Sequence, residues 1–407
     1  MRMALVRLLL AAALAATALL AVSSSLSGSA RWSPDGLFYQ ARVYEIRDGL
    51  SRTDALHKAF EGPLGARLRV IDPQRSGNPD WVAYNARFYE RRIVVPLAAS
   101  ALTPLAGDRA ILDVSLAGYV AAVLALFWLL LVLGVRLPVA VAGTVAAIFL
   151  PALTHHAELP LTDSWGLAFE TAAFATAVLA LRGRHRWLIA WVAAIALLSL
   201  TRDSMWIPVL GALWLAVTQR TRIAVLLAGT GVAAAVPAVL AVRVPMRELL
   251  AEMVTNGLQP APGASWTTIA GHYPGAIVDM LQADGGFVRG GAWYTALFLL
   301  AGLASLFLVA RGRNGSPAAT LLKAGAVAGV AYVVAVPVFS AFRLELVLVP
   351  MALYGLALAG ERVLAAAAAR GGSQREPART AGIEPLPPNR KSGPSPQAAL
   401  SDVGSNQ

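Results

Sequence analysis

The sequence predicts an all-α fold, a polytopic bundle of membrane-spanning helices, and three observations carry that prediction. Hydrophobic residues make up 57% of the 407 and charged residues only 14%, the balance of a chain whose main solvent is lipid. The mean hydropathy is +0.61. Apolar runs of membrane length recur along the chain, and a segment crossing lipid must satisfy its own backbone hydrogen bonds, so each run reads as a helix. Cysteine is absent, which removes disulfides, thiolate metal sites and cysteine nucleophiles.

The elements follow in order. The first run, 4–24, reads as a signal anchor; MRMALVR before it and SSSLSGSA after it also fit a cleaved signal peptide, which stays open as the alternative. Residues 25–109 are polar and aromatic and read as a long outward loop with surface-lying helices. Within them Ile93–Gly107 is apolar but short and holds Pro96 and Pro104, so it reads as an interfacial or re-entrant helix. Further spans are expected at 110–134, 138–154, 162–181, 187–201, 204–218 and 222–242. A second outward loop, 243–291, is turn-rich, with PAPGASW, GHYPG and four glycines around FVR suggesting a mobile lid; it lacks the ending of a phosphate loop. Spans at 292–310, 318–339 and 344–360 bring the total to about ten. From 371 to 407 the chain turns rich in Pro, Gly, Ser and charge and reads as a disordered cytoplasmic tail.

Orientation comes from arginine. Arg2, Arg7, Arg136, Arg182, Arg184, Arg186, Arg220, Arg222, Arg311 and Arg313 fall in short segments of one parity, which the charge rule assigns to the cytoplasm. Both termini are then cytoplasmic, in the cytoplasmic membrane. The net charge of +11 reports this topology and contact with anionic lipid, and nucleic acid is not expected as a partner.

The outward segments hold the candidate chemistry. Asp35 in SPDGLFY places a carboxylate at the membrane surface; SPDG also reads as a helix start, with Ser33 capping and Pro34 in the first turn. The link HHAELPLTDSWGLAFE holds His155, His156, Glu158, Asp163 and Glu170. Asp163 and Glu170, seven apart, share a helix face with Glu170 roughly 10 Å deeper, and carboxylates at membrane depth commonly line a polar cavity. The competing reading makes Thr162 a helix cap and Asp163 a first-turn charge. The histidine spacing is not that of HExxH, so no metal ligand is assigned, and a divalent cation stays only a possibility among unknown cofactors. Arg202 and Asp203 either pair together or extend a binding rim. Arg109 and Asp113 read as a helix pair. Trp32, Phe38, Tyr39, Tyr44, Trp81, Tyr84, Phe88 and Tyr89 suit interface anchoring, with sugar stacking as the alternative, for which Tyr39 is the candidate.

SPDGLFYQARVYE (33–45), RRIVVPLAASALTPLAGDRAILDVSLAGYV (91–120) and FRLELVLVP (342–350) together resemble the C-type integral membrane glycosyltransferases, the group of the protein O-mannosyltransferases and lipid A aminoarabinose transferases. Where that group often places a second acidic residue, this chain has Gly36. The resemblance implies an enzyme that moves a sugar from a polyprenyl-phosphate donor to an acceptor hydroxyl of an envelope glycan, lipid or protein. It makes Asp35 the expected general base and Arg343 the expected phosphate ligand, with Arg91 and Arg92 as further donors. A different class, a carrier or flippase, would instead use Asp113, Asp163 and Glu170 along a substrate path, although no internal repeat is visible.

Overall fold

The computed structural model describes residues 2–26, 33–62, 65–66, 70, 77–241, 244–255, 264–309, 316–337 and 342–373. Trp32, Arg311, Arg313, most of PAPGASW and nearly all of the expected tail lie outside them. Among the described residues 87% are helical and none lies in a strand, as the composition predicts. It divides into two units, Met1–Arg362 and Val363–Gln407. In the second, only the continuation of one helix to Ser373 is described.

Helix α1 spans Arg2–Leu26. α2, Pro34–Asp48, starts where Ser33 accepts from the Gly36 N–H at 3.2 Å and stops at Gly49, whose φ of 64° no branched side chain tolerates cheaply. α3 is Arg52–Glu61, and α4, Pro79–Tyr89, is capped by Asn78. α5, Val94–Ala106, is 13 residues long, too short to cross lipid alone. Gly107, at φ 60°, turns the chain so that α5 packs back against α6, Ala110–Val132. The short expected helix at 93–107 is therefore present.

α7, Leu137–Ile148, and α8, Pro151–Ala157, form one pair bent by 60°. The bend falls at Pro151, which cannot donate to the preceding turn. α9 is Asp163–Leu181, α10 Trp187–Ser199, α11 Trp206–Gln219 and α12 Arg222–Leu240. α13 is Met246–Val254 and α14 Trp266–Phe287, joined through a π turn at Val288–Ala292 to α15, Trp293–Val309. α16, Pro317–Ala335, precedes a 3-10 turn, Glu345–Leu348, and α17, Val349–Ser373.

Seven helical runs are long and apolar enough to span, or eight if the bent pair is one crossing, so this is a multi-pass membrane protein. All ten expected spans correspond to helices, but α10 and α11 have only 13 and 14 residues. The larger departure is GHYPG, expected as turns within a loop: residues 271–275 lie inside α14, with Pro274 in its interior. Flanking apolar residues and the need to satisfy backbone groups internally outweigh the local Gly-Pro signal.

α9 is the central helix, with 78% of its apolar window buried, against 17% for α1. α15 and α17 approach so closely that a Cβ on Gly302 would lie 2.4 Å from the Ala352 carbonyl oxygen, the small-residue contact that draws helices together in lipid. The aromatics of the first long segment are not chiefly interface anchors. Phe38, Tyr39 and Tyr44 are buried; Phe38, stacked on Tyr89 at 4.6 Å and tilted against Phe60 at 4.9 Å, and Tyr44 belong to the core of the α2–α4 layer, while Tyr39 packs with Val95 and Ala99 of α5 and Ile111 of α6.

Candidate functional site: an arginine–aspartate network at one end of the bundle

Five chain segments distant in sequence meet at one end of the helices: the first turn of α2, the α4–α5 turn, the first turn of α9, the α10–α11 turn and the approach to α17. Arg343 is the hub. Its Nη1 donates to Asp35 Oδ2 at 2.6 Å, while Nε and Nη2 donate to the two oxygens of Asp163 at 2.9 and 3.1 Å. This bidentate fork matches the planar guanidinium to a planar carboxylate. Asp163, completely buried at its side chain, also accepts from Arg202. Asp35 accepts from the Tyr89 hydroxyl at 2.7 Å.

A second group adjoins the first. Asp203 accepts from both Arg91 and Arg92, the latter at 3.0 Å. Arg92 also donates to the Tyr39 hydroxyl at 3.1 Å, and that hydroxyl is 3.1 Å from Thr162 Oγ1. Thr162 precedes α9 but makes no side-chain cap; its hydroxyl is turned to Tyr39 instead. Arg202 and Asp203 do not pair with each other: each reaches a different partner across the network. Arg343 engages the two aspartates and makes no ion pair with Glu345 among the described residues.

Local backbone choices aim these groups. Ser33 and Pro34 do start α2 as a cap and first-turn proline, and that same turn projects Asp35 toward Arg343. Gly166, one turn into α9, leaves the path by which Arg202 reaches Asp163; a Cβ there would come within 2.5 Å of Arg202 Cδ. Phe342 carries φ 57°, a left-handed conformation costly for an aromatic residue, and its N–H is held by Asp284 Oδ1 at 2.8 Å. That kink directs the next residue, Arg343, inward.

Burial pushes the Asp35 carboxyl up, but Arg343, the Tyr89 hydroxyl and Arg92 outweigh it and hold it below its ordinary value. The same competition, with Arg91 and Arg92 prevailing, lowers Asp203 to about 2. Burial, reinforced by Asp35, raises Tyr89 well above its usual range. Both carboxylates are thus fixed as anions, and Tyr89 as a neutral donor.

Glu170 lies deeper on α9 with its side chain fully buried. Ser204 is beside it, yet neither carboxyl oxygen makes a hydrogen bond among the described residues. An ionised carboxylate left so is costly, and a ligand's hydroxyl or cation would relieve it. His155 and His156 stack edge to face at 5.0 Å at the end of α8, with His155 5.6 Å from Phe287. Glu158 follows them as the residue capping α8. The helix that carries them packs beside α9. Arg109 and Asp113 form the expected helix pair at 3.1 Å. No three His, Asp or Glu side chains converge as a metal site among the described residues.

Reasoning from sequence singled out Asp35, Tyr39, Arg91, Arg92, Asp163, Arg202 and Arg343, and the fold brings all seven together. It missed Thr162 and Tyr89 as polar members, and Gly166, Asp284 and Phe342 as positioning residues. The tyrosine before Glu90-Arg91-Arg92 was a signal in retrospect; nothing local marks the others. No protein family's sequence pattern matches this chain, and no curated protein or solved structure is significantly similar to it.

Proposed function

We propose that this end of the bundle transfers a sugar from a polyprenyl-phosphate donor to an acceptor hydroxyl, on the outer side of the cytoplasmic membrane. The observation that carries the reading is one guanidinium, Arg343, shared between Asp35 and Asp163 in a cluster where arginines outnumber aspartates. The surplus cation suits a lipid phosphate, and Arg343 is the donor in easiest reach of both carboxylates. The segregation of Arg7, Arg136, Arg182, Arg184, Arg186, Arg220 and Arg222 toward opposite helix ends supports the outward orientation, with both termini in the cytoplasm.

In this mechanism the donor phosphate draws Arg343 away from Asp35. Burial then acts on that carboxyl with less opposition, its proton affinity rises, and it becomes a better base. The acceptor hydroxyl gives its proton to Asp35 as its oxygen bonds to the anomeric carbon. The bond from that carbon to the phosphate oxygen breaks, and the departing phosphate keeps the electron pair, stabilised by Arg343 and its arginine neighbours. Tyr39 and Glu170 are the candidates for holding sugar hydroxyls. Donor, acceptor and surrounding lipid are the partners of this reading.

A carrier or flippase is the second reading, favoured by the buried carboxyl of Glu170 within α9, which lacks a geometric hydrogen-bond partner among the described residues. One preparation separates them. Glycosyl transfer predicts product formation by purified protein supplied with polyprenyl-phosphate sugar, abolished by Asp35→Asn with donor binding retained. Flux across proteoliposomes without any new glycosidic bond would instead establish transport, and full turnover by Asp35→Asn would remove the base assigned here.

A further inference from the structure

At the end of the helices opposite the network, a pocket of about 660 Å³ opens between α1, α6, α9 and α10. Its walls are apolar, with Leu124, Phe127 and Leu131 of α6 facing Leu8 of α1. Three guanidiniums line it: Arg7 from α1, and Arg182 and Arg184 from the α9–α10 turn. None of the three forms an ion pair or hydrogen bond with another of the described residues, whereas Arg136 near the same end is bound by Glu361 at 2.6 Å. Trp128 and Trp187 lie together in the same wall, 5.7 Å between rings. The indole N–H of Trp187 is buried without an acceptor among the described residues.

An apolar cleft, three uncommitted cations and an unsatisfied donor are complementary to one kind of molecule, an amphiphile with a phosphate. We infer that this pocket binds an anionic glycerophospholipid of the surrounding leaflet. The phosphate lies among Arg7, Arg182 and Arg184, a headgroup or ester oxygen accepts from Trp187, and an acyl chain runs between α1 and α6. Access comes from lipid, because α1 is the least covered of the candidate spans, with Leu5, Leu8 and Leu9 exposed. Three arginines near a surface, each strengthening anion binding about fivefold, give a preference of about a hundredfold over a zwitterionic lipid. The inference stands apart from the glycosyl-transfer reading, since it concerns the other end of the bundle.

Native mass spectrometry of the purified full chain tests it, with phosphatidylglycerol and phosphatidylcholine of identical acyl chains added in turn. One phosphatidylglycerol per chain should be retained, phosphatidylcholine should not, and millimolar inorganic phosphate should not displace the lipid. The triple substitution Arg7→Ala, Arg182→Ala, Arg184→Ala should weaken retention about a hundredfold. Leu131→Trp, which fills the cleft and keeps every charge, should also abolish it, and serves where the triple variant does not assemble. Equal retention of the two lipids, displacement by phosphate alone, or unchanged retention in Leu131→Trp would overturn the inference.

Discussion

Replacing Arg343 with alanine removes three hydrogen bonds at once, one to Asp35 and two to Asp163. Breaking a buried charge pair by deleting one partner costs roughly 3–5 kcal/mol, because the remaining charge stays desolvated. Two features place this case at the low end. Asp163 keeps Arg202, and Asp35 is 24% exposed and keeps Tyr89. The expected loss is therefore about 3 kcal/mol. Asp35→Asn alone loses the charge that Arg343 answers, yet in an Arg343→Ala background it removes an orphaned anion. The two changes should couple by about 2 kcal/mol, well above the 0.3–0.5 kcal/mol scatter expected of independent sites. Equilibrium unfolding of the four proteins of this cycle, in nanodiscs of one lipid composition, measures the coupling. Strict additivity would refute the claim that these side chains share a charge interaction.

Asp203, lowered to about 2 by Arg91 and Arg92, favours the folded state while ionised. That contribution, roughly 2 kcal/mol, is fully present above about pH 4 and is lost as pH falls toward 2. Asp203→Asn should flatten the acid side of a stability–pH curve, leaving the contribution of Asp35, and an unaltered curve would count against the pairing. Gly166→Ala puts a methyl 2.5 Å from Arg202 Cδ and should cost about 1–3 kcal/mol while loosening Arg202 from Asp163; stability equal to the parent would contradict the close approach. Gly302→Ala meets backbone 2.4 Å away and should lower the melting temperature more than Gly166→Ala, because a carbonyl of α17 cannot rotate aside. Single cysteines at positions 35, 160, 185 and 341 of this cysteine-free chain, challenged with an impermeant thiol reagent on intact cells, should label at all but 185; the inverse pattern would reverse the proposed orientation.

Much of the site was legible because topology in a membrane is nearly one-dimensional. Once hydropathy fixes the crossings, parity alone assigns Asp35, Asp163, Arg202 and Arg343 to one end, and short links such as the one at Arg202 hold their charges close to the helix ends. What parity cannot supply is pairing. Arg202 and Asp203 are neighbours in sequence, yet one turns to α9 and the other to the α4–α5 turn, since Arg202 is extended while Asp203 opens a 3-10 turn before α11, and their side chains leave in different directions. The same limit explains α14, where local Gly and Pro signalled turns but the surroundings required a helix.

Composition and the lengths of the apolar runs by themselves determined an all-helical membrane protein and grouped the charges of the links at helix ends, because lipid forces backbone self-satisfaction and ties run length to crossing. Only the tertiary structure decided that Arg343 forks onto Asp163 while grasping Asp35, that Tyr89 completes the grip, and that three arginines at the far end share one greasy pocket. Those outcomes depend on helix rotation and on close approaches such as that of Arg202 to Gly166, which no linear pattern encodes.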